Sequence, residues 1–246
     1  DHHCLVRLIG VSQTQPTIVL ELVHLGSMLD YLQEKGQNSV RPEMELTLWA
    51  AQISCGMVYL EKKRFIHRDL AARNILLASK LQAKISDFGL STAVSEGKDY
   101  YQASQGGRWP IKWYAPESVN YGTFSHASDV WSFGVLLWEI YSFGKIPYGH
   151  QGYDEVLEKL QSGYTLPCPK DIQSIDTWKA YDLYEAIARE CFVPNPGTRS
   201  TFSDLLIKIE SYLSMDEIST QEEMQEKYLS TRTAQYLKIK RNQDEI

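Results

Sequence analysis

The 246-residue sequence is short of several things, and each shortage narrows what it does. Its four cysteines, Cys4, Cys55, Cys168 and Cys191, form no C-x-x-C pair, which argues against a zinc ribbon or a dense disulfide framework and suits a reducing compartment. No run approaches the 18 or more apolar residues of a membrane span; the most apolar stretch, residues 130–143, contains Glu139 and reads as a buried helix. Positive charge is in the minority, with 25 Lys and Arg against 31 Asp and Glu, a net charge of −6. That balance argues against nucleic acid or an anionic membrane as the main partner. There is no initiating methionine, and residues 1–5 offer neither a basic region nor an apolar one of the signal-peptide kind. The start reads as a cut. The sequence also has no G-x-G, and its first lysine is Lys35.

What is present is an ordinary globular composition, 43% hydrophobic and 11% aromatic, with no internal repeat. Residues 5–11 and 17–23 are rich in β-branched residues and leucine and flank a polar loop closed by Pro16, the pattern of a strand pair. Ser27 suits the N-cap of a short helix reaching Leu32. Between Glu45 and Lys63, Leu46, Trp49, Ile53, Met57 and Leu60 recur at helical spacing. Strands are expected mostly at the N-terminal end. From Asp129 onward the periodicity predicts helices over 129–142, 153–162, 178–191 and 202–213, followed by a polar, charged tail from residue 214 to 246.

The chemistry is concentrated in two acidic strings. His67-Arg68-Asp69-Leu70-Ala71-Ala72-Arg73-Asn74 follows the long amphipathic helix and precedes the apolar Ile75-Leu76-Leu77. Thirteen residues after Asn74 comes Asp87-Phe88-Gly89, preceded by the strand-like Ala83-Lys84-Ile85-Ser86. Transfer of a nucleotide's terminal phosphoryl group needs cations on the phosphates and a base for the acceptor hydroxyl, with little covalent work left to the protein. Asp87 and Asn74 offer hard oxygen ligands of the kind magnesium takes, Asp69 a base, and Arg73 a permanent positive charge.

The order H-R-D-L-A-A-R-N, D-F-G, A-P-E, with Ala115-Pro116-Glu117 as the third block, resembles the catalytic set of the protein kinases. Ala71-Ala72-Arg73 is the tyrosine-kinase form, and the match extends through Trp109-Pro110-Ile111-Lys112-Trp113-Tyr114 and Ser128-Asp129-Val130-Trp131. The paired Tyr100-Tyr101 and the Lys112-Trp113-Tyr114 wording are most similar to the cytoplasmic Syk-type kinases and their ankyrin-repeat Shark-type relatives. The resemblance covers residues 1–213. It implies an α+β, protein-kinase-like fold that is mainly the helical large lobe, with a remnant of the small-lobe β-sheet and hinge. Its expected divisions are a small-lobe remnant and hinge at 1–23, the large lobe at 24–213 and the tail at 214–246.

The same resemblance implies Asp69 as base, with Arg73 and Asn74 beside it as catalytic residues, and Asn74 and Asp87 as ligands of Mg2+, or of Mn2+ in its place. It implies ATP as cofactor, with adenine held by the backbone of Glu21, Leu22 and Val23, Leu76 beneath the ring and Leu20 behind it. Protein tyrosines are the implied substrates, and activation the work of an upstream kinase or of autophosphorylation in trans.

Each residue also has a plainer reading. Asp69 alone is a turn residue, and His67 a packed histidine rather than a second base. Asp129 at a helix start reads as an N-cap, to which the family adds an anchor for the His67-Arg68 backbone. Glu117 and Arg199 read as solvated charges or, by resemblance, as a buried pair tying the segment after Asp87 to the helical lobe. Tyr100 and Tyr101 lie in a polar, glycine-bearing, mobile-looking stretch where Arg68 is placed to bind an added phosphate. Pro110 reads as turn punctuation or, by resemblance, as shaping the floor for a substrate tyrosine. Phe192 and Ser200 depart from the family's usual tryptophan and proline. With no G-x-G and no early lysine, the chain is expected to be part of a longer non-receptor kinase, cytoplasmic, recruited to membranes by domains it does not itself contain, and on its own to have little activity. The alternative is a pseudokinase or scaffold that binds partners without catalysis.

Overall fold

A computed structural model of the chain describes residues 2–12, 17–36, 45–95, 97–103, 109–173 and 178–215. The loop at 13–16, Gly106, Gly107 and the tail beyond residue 215 lie outside them. Two strands open the chain, β1 (Leu8–Ser12) and β2 (Thr17–Leu20), paired antiparallel. The turn before them is fixed by His2, whose Nδ1 accepts the Cys4 N–H (3.2 Å) and whose ring stacks on Tyr59. It is stitched to the following lobe by Ile85 N–H to Cys4 O (2.8 Å) and Val6 N–H to Ile85 O (2.9 Å).

Helix α1 (Met28–Lys35) is capped by Ser27 as expected, the hydroxyl accepting from Asp30 N, and it runs three residues beyond Leu32. Helix α2 (Thr47–Lys62) carries the apolar spacing read from the sequence, and Leu48, Trp49, Ile53, Met57 and Leu60 are buried. Gln52, also buried, satisfies both ends of its amide by donating to Leu81 O (2.8 Å) and accepting from Ala83 N (2.7 Å). These bonds clamp α2 to the hairpin of β4 (Ile75–Ser79) and β5 (Gln82–Ile85), which follows the two-residue strand β3 (Phe65–Ile66).

The expectation that strands sit mostly at the N-terminal end fails: short strands run through the middle of the chain. β3 pairs with β6 (Thr92–Ala93), and β7 (Tyr101–Gln102) pairs with β8 (Thr123–Phe124), beyond α3 (Pro116–Tyr121). Two-residue pairings have no sequence period to read, because alternation needs several residues to show.

Helix α4 (His126–Tyr141) is the centre of the molecule, with Val130, Trp131, Phe133, Val135, Leu136, Leu137 and Ile140 all buried. Its N-cap is Ser125, whose Oγ accepts from Ser128 N while Ser128 Oγ accepts from Ser125 N. This corrects the reading of Asp129 as the cap: Asp129 lies a turn further in, fully buried and bonded to the His67 and Arg68 backbone. Around α4 stand α5 (Tyr153–Gln161), the short α6 (Lys170–Gln173), α7 (Trp178–Cys191) and α8 (Phe202–Met215), with α7 against α4 and α8 against α2. Phe192 packs edge-on against Trp131 (5.1 Å between centroids) and fills the usual tryptophan's place, while Ser200 Oγ donates to Glu190 (2.9 Å).

Gly134 sits where the end of α7 packs tightly on α4. A Cβ there would lie 2.7 Å from Cys191 Cβ and 2.9 Å from a Phe192 ring carbon. Gly134→Ala is expected to destabilise the fold by about 1–3 kcal/mol, the usual cost of overpacking, measured as a shift in urea midpoint.

Candidate active site

The site is built on a turn that α4 holds in place. Asp129 accepts the His67 N–H (2.7 Å) and the Arg68 N–H (2.9 Å) on its two oxygens. The bonds fix Arg68 at φ +68°, a left-handed conformation that a non-glycine residue keeps only when its surroundings impose it. Burial pushes the Asp129 carboxyl up to about 7 against the pull of those two N–H donors. His67 is fully buried, its Nδ1 accepting from Asp69 N and its Nε2 bonded to Ser86 O (3.1 Å). With both ring nitrogens occupied and its pKa lowered by burial, His67 fits the packed reading.

Asp69 follows directly. Its Oδ1 accepts from Arg73 Nη2 and its Oδ2 from Asn74 Nδ2 (2.7 Å). Asn74 Nδ2 also donates to Asp69 O (2.7 Å), so both amide protons are used and Oδ1 is the atom left for a cation. Asn74 itself is tied to the second acidic string, because Ser86 donates from both N–H and Oγ to Asn74 O (2.8 Å each). One residue further on, Asp87 is exposed at φ +57°, its Oδ1 accepting from Gly89 N (3.2 Å). Phe88 leans edge-on against the His67 ring (5.4 Å). The two strings read 13 residues apart thus meet through Ser86 and His67.

The segment expected to hold adenine joins the strand pair to α1. Glu21 accepts from Arg7 N (2.8 Å) and Lys84 Nζ. Burial works against its ionisation, but those two bonds hold its carboxyl below the usual range. Val23 is buried and Leu22 exposed. Among the described residues no hydrogen bond engages the Glu21 C=O or the Val23 N–H. Leu76 is half-buried and bridges Ser27 across the chain, while Leu20 is half-exposed at the end of β2.

On the other side of Asp69 lies the segment with the paired tyrosines. Tyr100 is exposed, whereas Tyr101 is fixed in β7 opposite Phe124, so this part of the stretch is ordered against β8. The Arg68 guanidinium sits between the Tyr101 and Phe124 rings, 4.6 and 4.5 Å from their centroids. Its Nη1 donates to Leu90 O and Thr92 Oγ1, and its buried Nε has no partner among the described residues. Pro110 opens a tight turn at Ile111–Trp113 whose Trp113 ring lies over Arg73, 4.4 Å from the centroid.

Glu117 and Arg199 form the buried pair. Arg199 donates from Nη1 to Oε1 (2.8 Å) and from Nη2 to Oε2 (3.2 Å), and its Nε donates to Val193 O (2.9 Å). Glu139, which the sequence reading passed over as an interruption of an apolar run, is buried against this site. Its signal was available: a single carboxylate inside a fully buried helix must have donors to meet.

Comparisons with known proteins show the family. A family model described as protein tyrosine and serine/threonine kinase matches residues 1–209. The Hydra vulgaris tyrosine-protein kinase HTK16 is 52% identical over 206 residues, covering 83% of this chain and 26% of that protein. The Drosophila melanogaster tyrosine-protein kinase Shark is 49% identical over 203 residues, and the Gallus gallus tyrosine-protein kinase SYK 40% over 213. The chain spans 21% of Shark and 33% of SYK. It belongs to the protein tyrosine and serine/threonine kinase family, and the α+β kinase-like fold expected of it is the one observed. Its similarity to these relatives marks it as a tyrosine-kinase domain sequence. Membership implies ATP as phosphoryl donor, a divalent cation and protein substrates. No helix among the described residues is long and apolar enough to cross a membrane.

Proposed function

We propose that this chain is the catalytic region of a cytoplasmic, non-receptor protein-tyrosine kinase, transferring the γ-phosphoryl group of ATP to tyrosine hydroxyls of proteins. The observation that carries it is the bonding of Asp69 to both Arg73 and Asn74, in a turn joined through Ser86 to Asp87. A free carboxylate in a loop has no reason to be held so tightly. Residues 1–23 act as a strand pair and hinge, residues 24–213 as the helical lobe, and residues 214–246 as a polar tail.

Asp69 takes the proton of the acceptor hydroxyl as its oxygen attacks phosphorus. Arg73 holds the Asp69 carboxylate in place and adds positive charge near the transferring group. The oxygens of Asn74 and Asp87 are hard donors and suit Mg2+, with Mn2+ as an alternative, where a softer ligand set would not. When bound, that ion neutralises phosphate charge. The Glu21 C=O and Val23 N–H form the edge for adenine, between Leu76 and Leu20. Pro110 sets the floor for the substrate tyrosine.

Regulation runs through Arg68. A phosphate added at the exposed Tyr100 by another kinase, or by a second copy in trans, is bound by Arg68 once the Tyr101 ring moves off it; Tyr101 is the second acceptor. Asp129 and the Glu117–Arg199 pair hold the two sides of the site in register. Scaffolding without catalysis has no observation of its own, since a scaffold needs neither Asn74 nor Asp87 placed for a cation.

The reading is tested by Asp87→Asn in the full-length protein. Loss of a carboxylate ligand is expected to lower transfer to a tyrosine peptide by about 100-fold or more and to raise the Mg2+ concentration needed for half-maximal rate. An unchanged rate and metal dependence would exclude Asp87 as a ligand.

A further inference from the structure

The base and the substrate floor are separate pieces of chain, 41 residues apart from Asp69 to Pro110, and transfer depends on their relative position to within a fraction of an ångström. One side chain bonds both. Glu139 projects from the last turn of α4, almost fully buried, and a single oxygen, Oε2, accepts two hydrogen bonds. One comes from the Ala72 N–H of the catalytic turn (2.9 Å), the other from the Trp113 indole Nε1–H of the turn that follows Pro110 (2.8 Å). The Trp113 ring then covers Arg73, which holds Asp69. Ser132, two turns earlier on the same helix, donates to Trp113 O (2.8 Å), so α4 holds Trp113 at both its backbone and its ring.

We infer that Glu139 is a positioning residue that sets the distance between the substrate tyrosine's floor and Asp69. The inference rests on the kinase reading of the site. Three features make a merely structural carboxylate a poor account. Burial opposes its ionisation and pushes its carboxyl up to about 7, the Trp113 and Ala72 donors pulling the other way. A packed apolar side chain would fill α4 without that cost. Both donors lie on the segments that carry the candidate site, the Ala72 N–H in the turn after Asp69 and the Trp113 indole in the turn after Pro110.

The account predicts a split in the kinetics. The adenine edge at Glu21–Val23 is not in this chain of contacts, so removing Glu139 acts through the turn after Asp69 and the turn after Pro110, away from the adenine site. In the full-length protein, Glu139→Ala is expected to lower kcat for a tyrosine peptide by about 10- to 100-fold, the scale of a 1 Å misplacement, with the KM for ATP within about twofold of wild type. Glu139→Gln, whose amide oxygen accepts both bonds, is expected to recover to within about threefold of wild type. Trp113→Phe removes only the indole donor, keeping a ring over Arg73. The double variant Glu139→Ala/Trp113→Phe is expected to be no slower than Glu139→Ala, because both break one interaction.

Several results would overturn the inference. They are an active wild type with an equally active Glu139→Ala, a KM for ATP that rises as kcat falls, a Gln variant as impaired as the Ala variant, or additive effects in the double variant. A wild type that transfers no phosphate at all would instead remove the kinase reading, and this inference with it.

Discussion

Replacing Asp69 by Asn in the full-length protein is expected to lower phosphoryl transfer to tyrosine by about 10²- to 10⁴-fold, the contribution of a placed general base. The amide takes up no proton at working pH. It leaves much of the geometry intact: the amide oxygen still accepts from Arg73, while an amide nitrogen now faces the Asn74 donor in place of Oδ2. That local conflict costs about 1–3 kcal/mol. The rate loss is therefore expected with a modest shift in thermal midpoint, and with ATP binding retained. A rate within threefold of wild type would remove Asp69 as the base, whatever its bonding.

The largest effect on stability is expected from Glu117→Ala. The Arg199 side chain is fully buried, and its guanidinium is held by Glu117 and by the carbonyls of Val193, Ala127 and Pro194. Removing the carboxylate leaves a buried positive charge that no remaining neighbour neutralises. The expected cost is about 3–5 kcal/mol, a large share of the roughly 5–15 kcal/mol that holds a domain together. Glu117→Gln keeps an acceptor for one Arg199 bond and is expected to cost less. Urea denaturation of the pair of variants measures the difference, and two midpoints equal to wild type would show that the pair is not buried in solution.

The parts of the site that came through in the sequence are those that chemistry spaces along the chain. Asp69, Asn74 and Asp87 stand at fixed separations in two polar strings, each beside an apolar run that becomes a strand, so both the residues and their rigid mount were visible. Helices α2, α4, α7 and α8 were visible for a related reason: each buries one face, or all of itself, over three turns or more. Residues 5–7 were expected in a strand, but the turn held by His2 closes at Leu5, which makes an isolated bridge to Ile85, and Val6 and Arg7 follow without a strand partner row, bonded to Ile85 and Glu21.

What stayed hidden is tertiary. Ser125 and Asp129 are both good cap residues four positions apart, and only the donors waiting at His67 and Arg68 decide that Asp129 faces inward. Tyr101 looked mobile because nothing local orders it; its strand partner is Phe124, 23 residues further along the chain. Glu139 looked like a flaw in an apolar helix, because its two donors lie 67 and 26 residues away.

In the proposed function, Asp69, Asn74 and Asp87 together form a centre for phosphoryl transfer to tyrosine. Its most direct test is phosphoamino-acid analysis of the full-length protein after incubation with γ-labelled ATP and a mixture of tyrosine, serine and threonine peptides. The expected label is on tyrosine, absent when a chelator removes the divalent cation, and lost with Asp69→Asn. Label on serine or threonine, or label on tyrosine that survives Asp69→Asn, would contradict it.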